Sequence, residues 1–192
     1  MSLNKNLVKS LIDITSKASI SCYPHLGTGN KILADKAATD VMRSNLNKLD
    51  IEGEVVIGEG ELDEAPMLYI GEKLGNNKGP KIDIAVDPVE GTNFVANNLP
   101  GAISVLAISE KDNLFKAPET YMNKIAFGNN IPKDVIDLDY SVEKNINNLS
   151  DFKNKKIEDI SVCILDRDRH KEIIQEIKKL KVKIKLIQDG DV

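Results

Sequence analysis

The sequence predicts an α+β chain whose last part turns α/β: a mixed α+β domain over residues 1–150, then the opening of an α/β domain over 151–192. Three observations lead there. Amphipathic helical patterns open the chain, alternating aliphatic runs that end in acidic turns fill its middle, and a strand–helix–strand pattern starts at residue 161. A chain of 192 residues with 41% hydrophobic and 29% charged content is large enough for one domain and part of a second.

The elements follow in order. Leu7, Leu11, Ile14, Ala18 and Cys22 recur at helical spacing with Lys9, Asp13 and Lys17 between them. The pattern predicts an amphipathic helix and excludes the unbroken apolar run of a signal sequence. A second helix is predicted from Lys31 to about Leu49, with Leu33, Ala34, Ala37, Ala38, Val41, Met42 and Leu46 on one wide apolar face. Asp35 sits early in it, where the helix dipole favours an anion. Residues 54–57 read as a short strand that ends in the acidic loop "GEGELDEAP". "MLYIGEKLG" fits a helix or a strand, with helix preferred, and "KIDIAVD" is a strand whose closing Asp-Pro sets Pro88 at the start of a turn or helix.

Two further strands are expected at 102–109 and 120–128, with room for a short one between them. Residues 129–156 are polar, with one small helix near Ser141, and the domain boundary is placed there. After it, strand 161–165, helix 169–180 and strand 182–187 form a crossover unit with parallel strands. The last strand runs into "QDGDV" at residue 192, and a domain completed beyond that point is expected.

Composition excludes several function classes. A net charge of −4 offers no basic face for a nucleic-acid backbone. No run approaches the roughly eighteen apolar residues of a membrane span. Cys22 and Cys163 are too few for a disulfide framework and read as buried, reduced thiols of a cytoplasmic protein.

The stretch "IDIAVDPVEGTNF", residues 82–94, carries the chemistry. A buried strand needs only a turn residue to end, yet this one ends in Asp87, Pro88, Glu90, Gly91 and Thr92. Glu59, Glu61, Asp63 and Glu64 cluster after the preceding strand. Hard oxygen ligands at strand ends suit Mg²⁺ or Mn²⁺ shared with a substrate phosphate, although "GEGELDE" alone reads more simply as a solvated loop. Gly91 admits close backbone approach, and Thr92 stands where a helix begins, so its amide and hydroxyl are placed to face a phosphate. "GTGNK" at 27–31 lacks the spacing of a nucleotide-binding phosphate loop. His170 reads as a helix-start residue and His25, beside Pro24, as structural or exposed, since the acidic set is all oxygen.

The motif D-P-x-[DE]-G-[ST] resembles the signature of the lithium-sensitive, metal-dependent phosphatase superfamily. The longer strings "EVVIGEGELDEAPMLYIGEKLG" and "DIAVDPVEGT" resemble the class II, GlpX-type fructose-1,6-bisphosphatases, and "KAPETYMNKIAFG", "IDLD", "ILDRDRH" and "LIQDGDV" continue that resemblance in order. It covers the whole chain and about the first three-fifths of a typical member. It implies a layered αβαβα sugar-phosphatase fold, here with its C-terminal part incomplete. It implies metal ligation by Asp35 and Glu59 in one set and by Asp87 and Glu90 in a second, with the Val89 carbonyl as a further candidate. A further carboxylate ligand of the family lies beyond Val192. Asp63 and Thr92 match residues that orient and activate the attacking water. Lys31, Glu90, Gly91, Thr92, Tyr121, Arg167, Arg169, Asp189 and Asp191 match the surroundings of the sugar bisphosphate.

The implied activity is Mn²⁺- or Mg²⁺-dependent hydrolysis of the 1-phosphate of fructose 1,6-bisphosphate by a homo-oligomer. Sedoheptulose 1,7-bisphosphate and inositol phosphates are alternative substrates, and a fragment that binds sugar phosphate without turnover is a third reading. Two arginines suit a second, non-reacting phosphate through guanidinium forks; taken without the resemblance they are as readily solvated surface groups. The chain departs from the family pattern in carrying Asn30 where Asp is usual and Asp168 where Pro is usual, the latter setting an anion between Arg167 and Arg169.

Overall fold

The computed structural model describes residues 5–59, 67–116 and 122–190. Both predicted N-terminal helices form. In α1 (Lys5–Cys22) the buried residues are Ile14, Ala18 and Cys22, the apolar stripe read from the spacing. Helix α2 (Lys31–Leu46) starts at Asn30, whose side-chain oxygen accepts from the Leu33 amide at 3.2 Å. Asn30 thus keeps the capping role that an Asp would fill. Ala34, Ala38, Met42 and Leu46 turn inward, while Leu33, placed on the apolar face by sequence, is 47% exposed at the helix start.

The two helices pack on one another and on a four-stranded sheet ordered β2–β1–β3–β4, from β1 (Glu52–Ile57), β2 (Lys73–Leu74), β3 (Lys81–Glu90) and β4 (Ile103–Glu110). Strands β1 and β3 are parallel; β2 and β4 flank them antiparallel. Val55, Leu68, Leu74, Ile82, Ile84 and Val86 meet the inner faces of α1 and α2 in one core. At the sheet's margin, Glu54 receives both the Lys73 and the Lys111 ammonium groups, and these hydrogen bonds hold its carboxyl down at about 2.

Three local expectations give way to long-range pairing. The helix preferred over "MLYIGEKLG" does not form. Instead the Val55 amide donates to the Glu72 carbonyl at 2.9 Å, Gly71 donates to Val55 at 2.7 Å, and Glu59 donates to Leu68 at 3.0 Å, folding 67–74 back along β1 as a hairpin arm. Nor does Pro88 begin a turn or helix. Strand β3 runs through it to Glu90, because the β3–β4 register shifts between Asp87 and Glu90. Asp87 faces Val105 and Glu90 faces Ile103, so one extra residue is accommodated there, and a bulge tolerates a residue that lacks an N–H. Third, the strand expected at 120–128 is absent over 122–128; Met122, Ile125 and Phe127 are exposed and pair with no sheet edge, while 120 and 121 lie outside the described residues.

The chain divides into one unit of Met1–Pro118 with Asp189–Val192 and another of Glu119–Gln188. The division falls earlier than residue 150 because α4 (Val142–Lys153), capped by Ser141, shares its core with the later elements. Ile146 packs with Ile160, Ile177 and Val182. In this second unit β5 (Ser161–Leu165) and β6 (Lys183–Ile187) pair in parallel across α5 (Lys171–Lys179), which is the predicted crossover unit. Cys22 is buried as expected, but Cys163 is exposed; it alternates with Val162, which packs on the helical core, and so faces away from it. No helix among the described residues is long and apolar enough to cross a membrane.

Met42 is fully buried where α2 meets the sheet. Met42→Ala is expected to lower the unfolding free energy by about 2–5 kcal/mol, measured by urea denaturation with an unchanged m-value.

Candidate metal and phosphate site

Four acids reach one place from three stretches of chain. Asp35 comes from the first turns of α2, Glu59 follows β1, and Asp87 and Glu90 flank the bulge at the end of β3. In a regular strand, residues three apart point to opposite faces. The extra residue between Asp87 and Glu90 resets that alternation, and both carboxylates act on Glu59. The Asp87 side chain also accepts from the Val89 amide at 3.0 Å, which fixes the turn of the bulge.

The electrostatics are those of like charges held together away from water. Burial, then the charge on Asp87, pushes the Asp35 carboxyl up to about 6. Glu59 is pushed up to about 8 by burial first, then by Asp35 and Asp87, a hydrogen bond to Asp87, and Glu90. Asp35 Oδ1 and Glu59 Oε2 are buried and have no hydrogen-bond partner. Buried acceptors without donors are costly, and an all-oxygen, all-anionic donor set is the kind that fits a hard divalent cation. Among the described residues, no three acids, histidines or cysteines stand in a finished coordination arrangement.

Next to these acids the chain turns sharply. Gly91 adopts φ +84° as it leads into the short helix α3 (Thr92–Ala96), and a Cβ there would stand 2.8 Å from Phe94 Cδ2. Thr92 is the first residue of α3, as its sequence context predicts. Asp189 returns to this point: its carboxylate accepts from the Asn93 amide at 3.0 Å and from the Asn93 side chain at 3.1 Å. Asn93 carries no motif of its own, and a contact between residues 96 positions apart leaves no local signal for a sequence reading to find.

The other expected residues fall differently. Lys31 is exposed at the start of α2, four residues before Asp35 and on the same side of the helix. "GTGNK" serves as the approach to α2, with Gly27 and Gly29 amides bonded to the Val95 and Ala96 carbonyls at 3.0 and 2.8 Å. Arg167 and Arg169 belong to the second unit, beside a short 3-10 turn. Asp168 between them pairs with Lys171 at 2.8 Å, which lowers its carboxyl. His170 leads into α5 and its Nδ1 lies 2.9 Å from the Leu165 carbonyl, so it is a helix-start residue. Asp63, Tyr121 and Asp191, like Glu61 and Glu64, lie outside the described residues.

The raised carboxyls fix the sign of a pH effect. The folded chain holds protons on Asp35 and Glu59 more tightly than an unfolded chain with ordinary values of 3.8 and 4.5. Their stabilisation is complete below those ordinary values and is lost as pH rises through about 6 and about 8. Glu59→Gln mimics the protonated form. Its melting temperature is therefore expected to match wild type at about pH 3.5, below the ordinary carboxylate value, and exceed it at pH 9 by about 3 °C or more in chelator-treated protein. A pH-independent difference in the two melting curves would contradict this assignment.

Comparison with known proteins agrees with the acidic motifs. The family described as bacterial fructose-1,6-bisphosphatase, glpX-encoded, matches residues 5–192. A protein of Prochlorococcus marinus (strain MIT 9312) named D-fructose 1,6-bisphosphatase class 2/sedoheptulose 1,7-bisphosphatase is 44% identical over 190 residues, covering 99% of this chain and 57% of that protein. One of the same name from Synechocystis sp. (strain ATCC 27184 / PCC 6803 / Kazusa) is 44% identical over 202 residues, covering 99% of this chain and 58% of the relative. The chain thus spans somewhat more than half the length of these relatives. A solved structure, an extragenic suppressor from Pyrococcus furiosus, overlaps 57% of this chain and 42% of its own at 21% identity and a TM-score of 0.39. With a match along nearly its whole length and the acidic strings in place, this chain belongs to the bacterial, glpX-encoded fructose-1,6-bisphosphatase family.

Proposed function

We propose that the chain is the metal-binding part of a phosphoric monoester hydrolase that releases the 1-phosphate of fructose 1,6-bisphosphate. The observation that carries this reading is the cluster of buried Asp35 with half-buried Glu59, Asp87 and Glu90, with two carboxylate oxygens that lack any donor, in a chain of this family. Asp35 and Glu59 would hold one Mn²⁺ or Mg²⁺, and Asp87 and Glu90 a second. When bound, such cations neutralise phosphoryl oxygens and lower the pKa of a coordinated water.

The chain's own residues do the rest in this reading. A phosphate monoester dianion repels an incoming nucleophile, which makes its uncatalysed hydrolysis among the slowest of biological reactions. Gly91 and Thr92 present fixed donors to the phosphate that is cleaved. Thr92 orients the attacking water, and the Asp63 carboxylate takes up its proton. Lys31, Tyr121, Arg167, Arg169, Asp189 and Asp191 serve the sugar and its other phosphate, for which a guanidinium fork is better suited than an ammonium. Asn93 orients Asp189 through two hydrogen bonds. The same reading places the protein in the cytoplasm as a homo-oligomer with the layered αβαβα sugar-phosphatase fold.

A second substrate is favoured by the relatives, whose names pair the fructose and sedoheptulose bisphosphatase activities. Phosphate release with Mn²⁺ separates the readings. Release from fructose 1,6-bisphosphate is expected, and Asp87→Ala and Glu90→Ala are each expected to lower it by about 100-fold or more, the upper end of what even an outer-shell partner costs. Faster release from sedoheptulose 1,7-bisphosphate or inositol 1-phosphate would reassign the substrate. Sugar-phosphate binding without release, restored by the remaining segment of a relative, would make the chain a binding fragment.

A further inference from the structure

Arg43 lies on α2 and Glu72 on the hairpin arm that folds back along β1. Arg43 Nε donates to Glu72 Oε1 at 2.6 Å and Nη2 donates to Glu72 Oε2 at 3.2 Å, so the guanidinium grips both carboxylate oxygens. Nη2 also donates to the Met67 carbonyl. The two side chains are only 26% and 10% exposed, whereas the lysines paired with Asp13, Asp40 and Asp159 are about half exposed or more. Exposed pairs contribute little. A shielded, bidentate fork fixes distance and angle.

What this fork joins gives it a role. Helix α2 carries Asp35, about two turns before Arg43. The hairpin carries Glu59, whose amide donates to Leu68 at 3.0 Å, between the two points that Arg43 holds, Met67 and Glu72. Gly58 lets the arms close there, since a Cβ would stand 2.2 Å from the Leu68 carbonyl oxygen. The fork therefore ties the strand arm next to Glu59 to the helix that carries Asp35.

We propose that Arg43 is a positioning residue for the cation site: its fork on Glu72 and Met67 registers the Glu59 hairpin against α2 and so sets the spacing of Glu59 and Asp35. This inference rests on the reading of the acidic cluster as a cation site. Arg43 acts through the hairpin. Lysine at this position keeps the charge and loses the fork.

The test is calorimetric titration of the 192-residue chain with Mn²⁺ alone, at a temperature where circular dichroism shows each variant folded. Arg43→Lys and Glu72→Gln are each expected to weaken Mn²⁺ binding by about 10- to 100-fold. Lys73→Met, which removes the exposed pair with Glu54 on the same hairpin, is expected to leave it unchanged. A purely structural pair would lower the melting temperature of both variants and leave the dissociation constant at the wild-type value; that result overturns the proposal while the cation site stands. If wild type binds no Mn²⁺, the cation site fails and the positioning role fails with it. Two variants are used so that a fold lost in Arg43→Lys is answered by Glu72→Gln.

Discussion

Carboxylates held side by side and only partly open to water are the constraint on which this structure turns. Burial first, and then the neighbouring carboxylates, raise the carboxyls of Asp35 and Glu59. A fold keeps such an arrangement only if the surrounding framework stabilises it by more than the repulsion costs. Here the framework is the core in which α1 and α2 cover the sheet, with Ala34, Ala38, Met42 and Leu46 of α2 packed against Val55, Ile82 and Ile84. The helix face next to Asp35 is therefore fixed by apolar packing, independent of the charge it presents.

Backbone irregularities then aim the acids. A flat, regular β3 would send Asp87 and Glu90 to opposite faces; the bulge at Pro88 brings both to bear on Glu59. A matching irregularity in β1 falls between Val55 and Ile57, and both Val55 and Val56 are buried just before Glu59. The left-handed Gly91 follows at once and starts α3 within two residues of Glu90. Each device has a local cost in pairing or conformational freedom, and each lies beside the acidic cluster, where strained backbone is characteristically concentrated.

The polar partners divide into those that fix position and those that shield charge. Asp189 on Asn93 and Asn30 on Leu33 complete the starts of two helices near the cluster. Arg43 on Glu72 ties a hairpin to a helix. Lys111, which also pairs with Glu54, shields the fully buried Asp83, whose Oδ1 lies 3.8 Å from its ammonium. Of these partners only Asn30, three residues from Leu33, is close in sequence to the group it serves.

The sequence by itself determined the elements whose signal is periodic or local: α1, α2, the core of β3, β4, the strand–helix–strand unit at the end, the Ser141 cap and the helix start at Thr92. It also named the four clustered acids, because two sat in a motif and the others followed from a resemblance spanning the chain. Tertiary structure alone decided that "MLYIGEKLG" becomes a hairpin arm, that β3 passes through Pro88, that 122–128 forms no strand, that Cys163 is exposed and that α4 joins the second unit's core. In each of these cases the outcome depends on a partner distant in sequence. A backbone N–H or an apolar face takes whichever partner the fold brings to it, and propensity within a few residues carries no information about that partner.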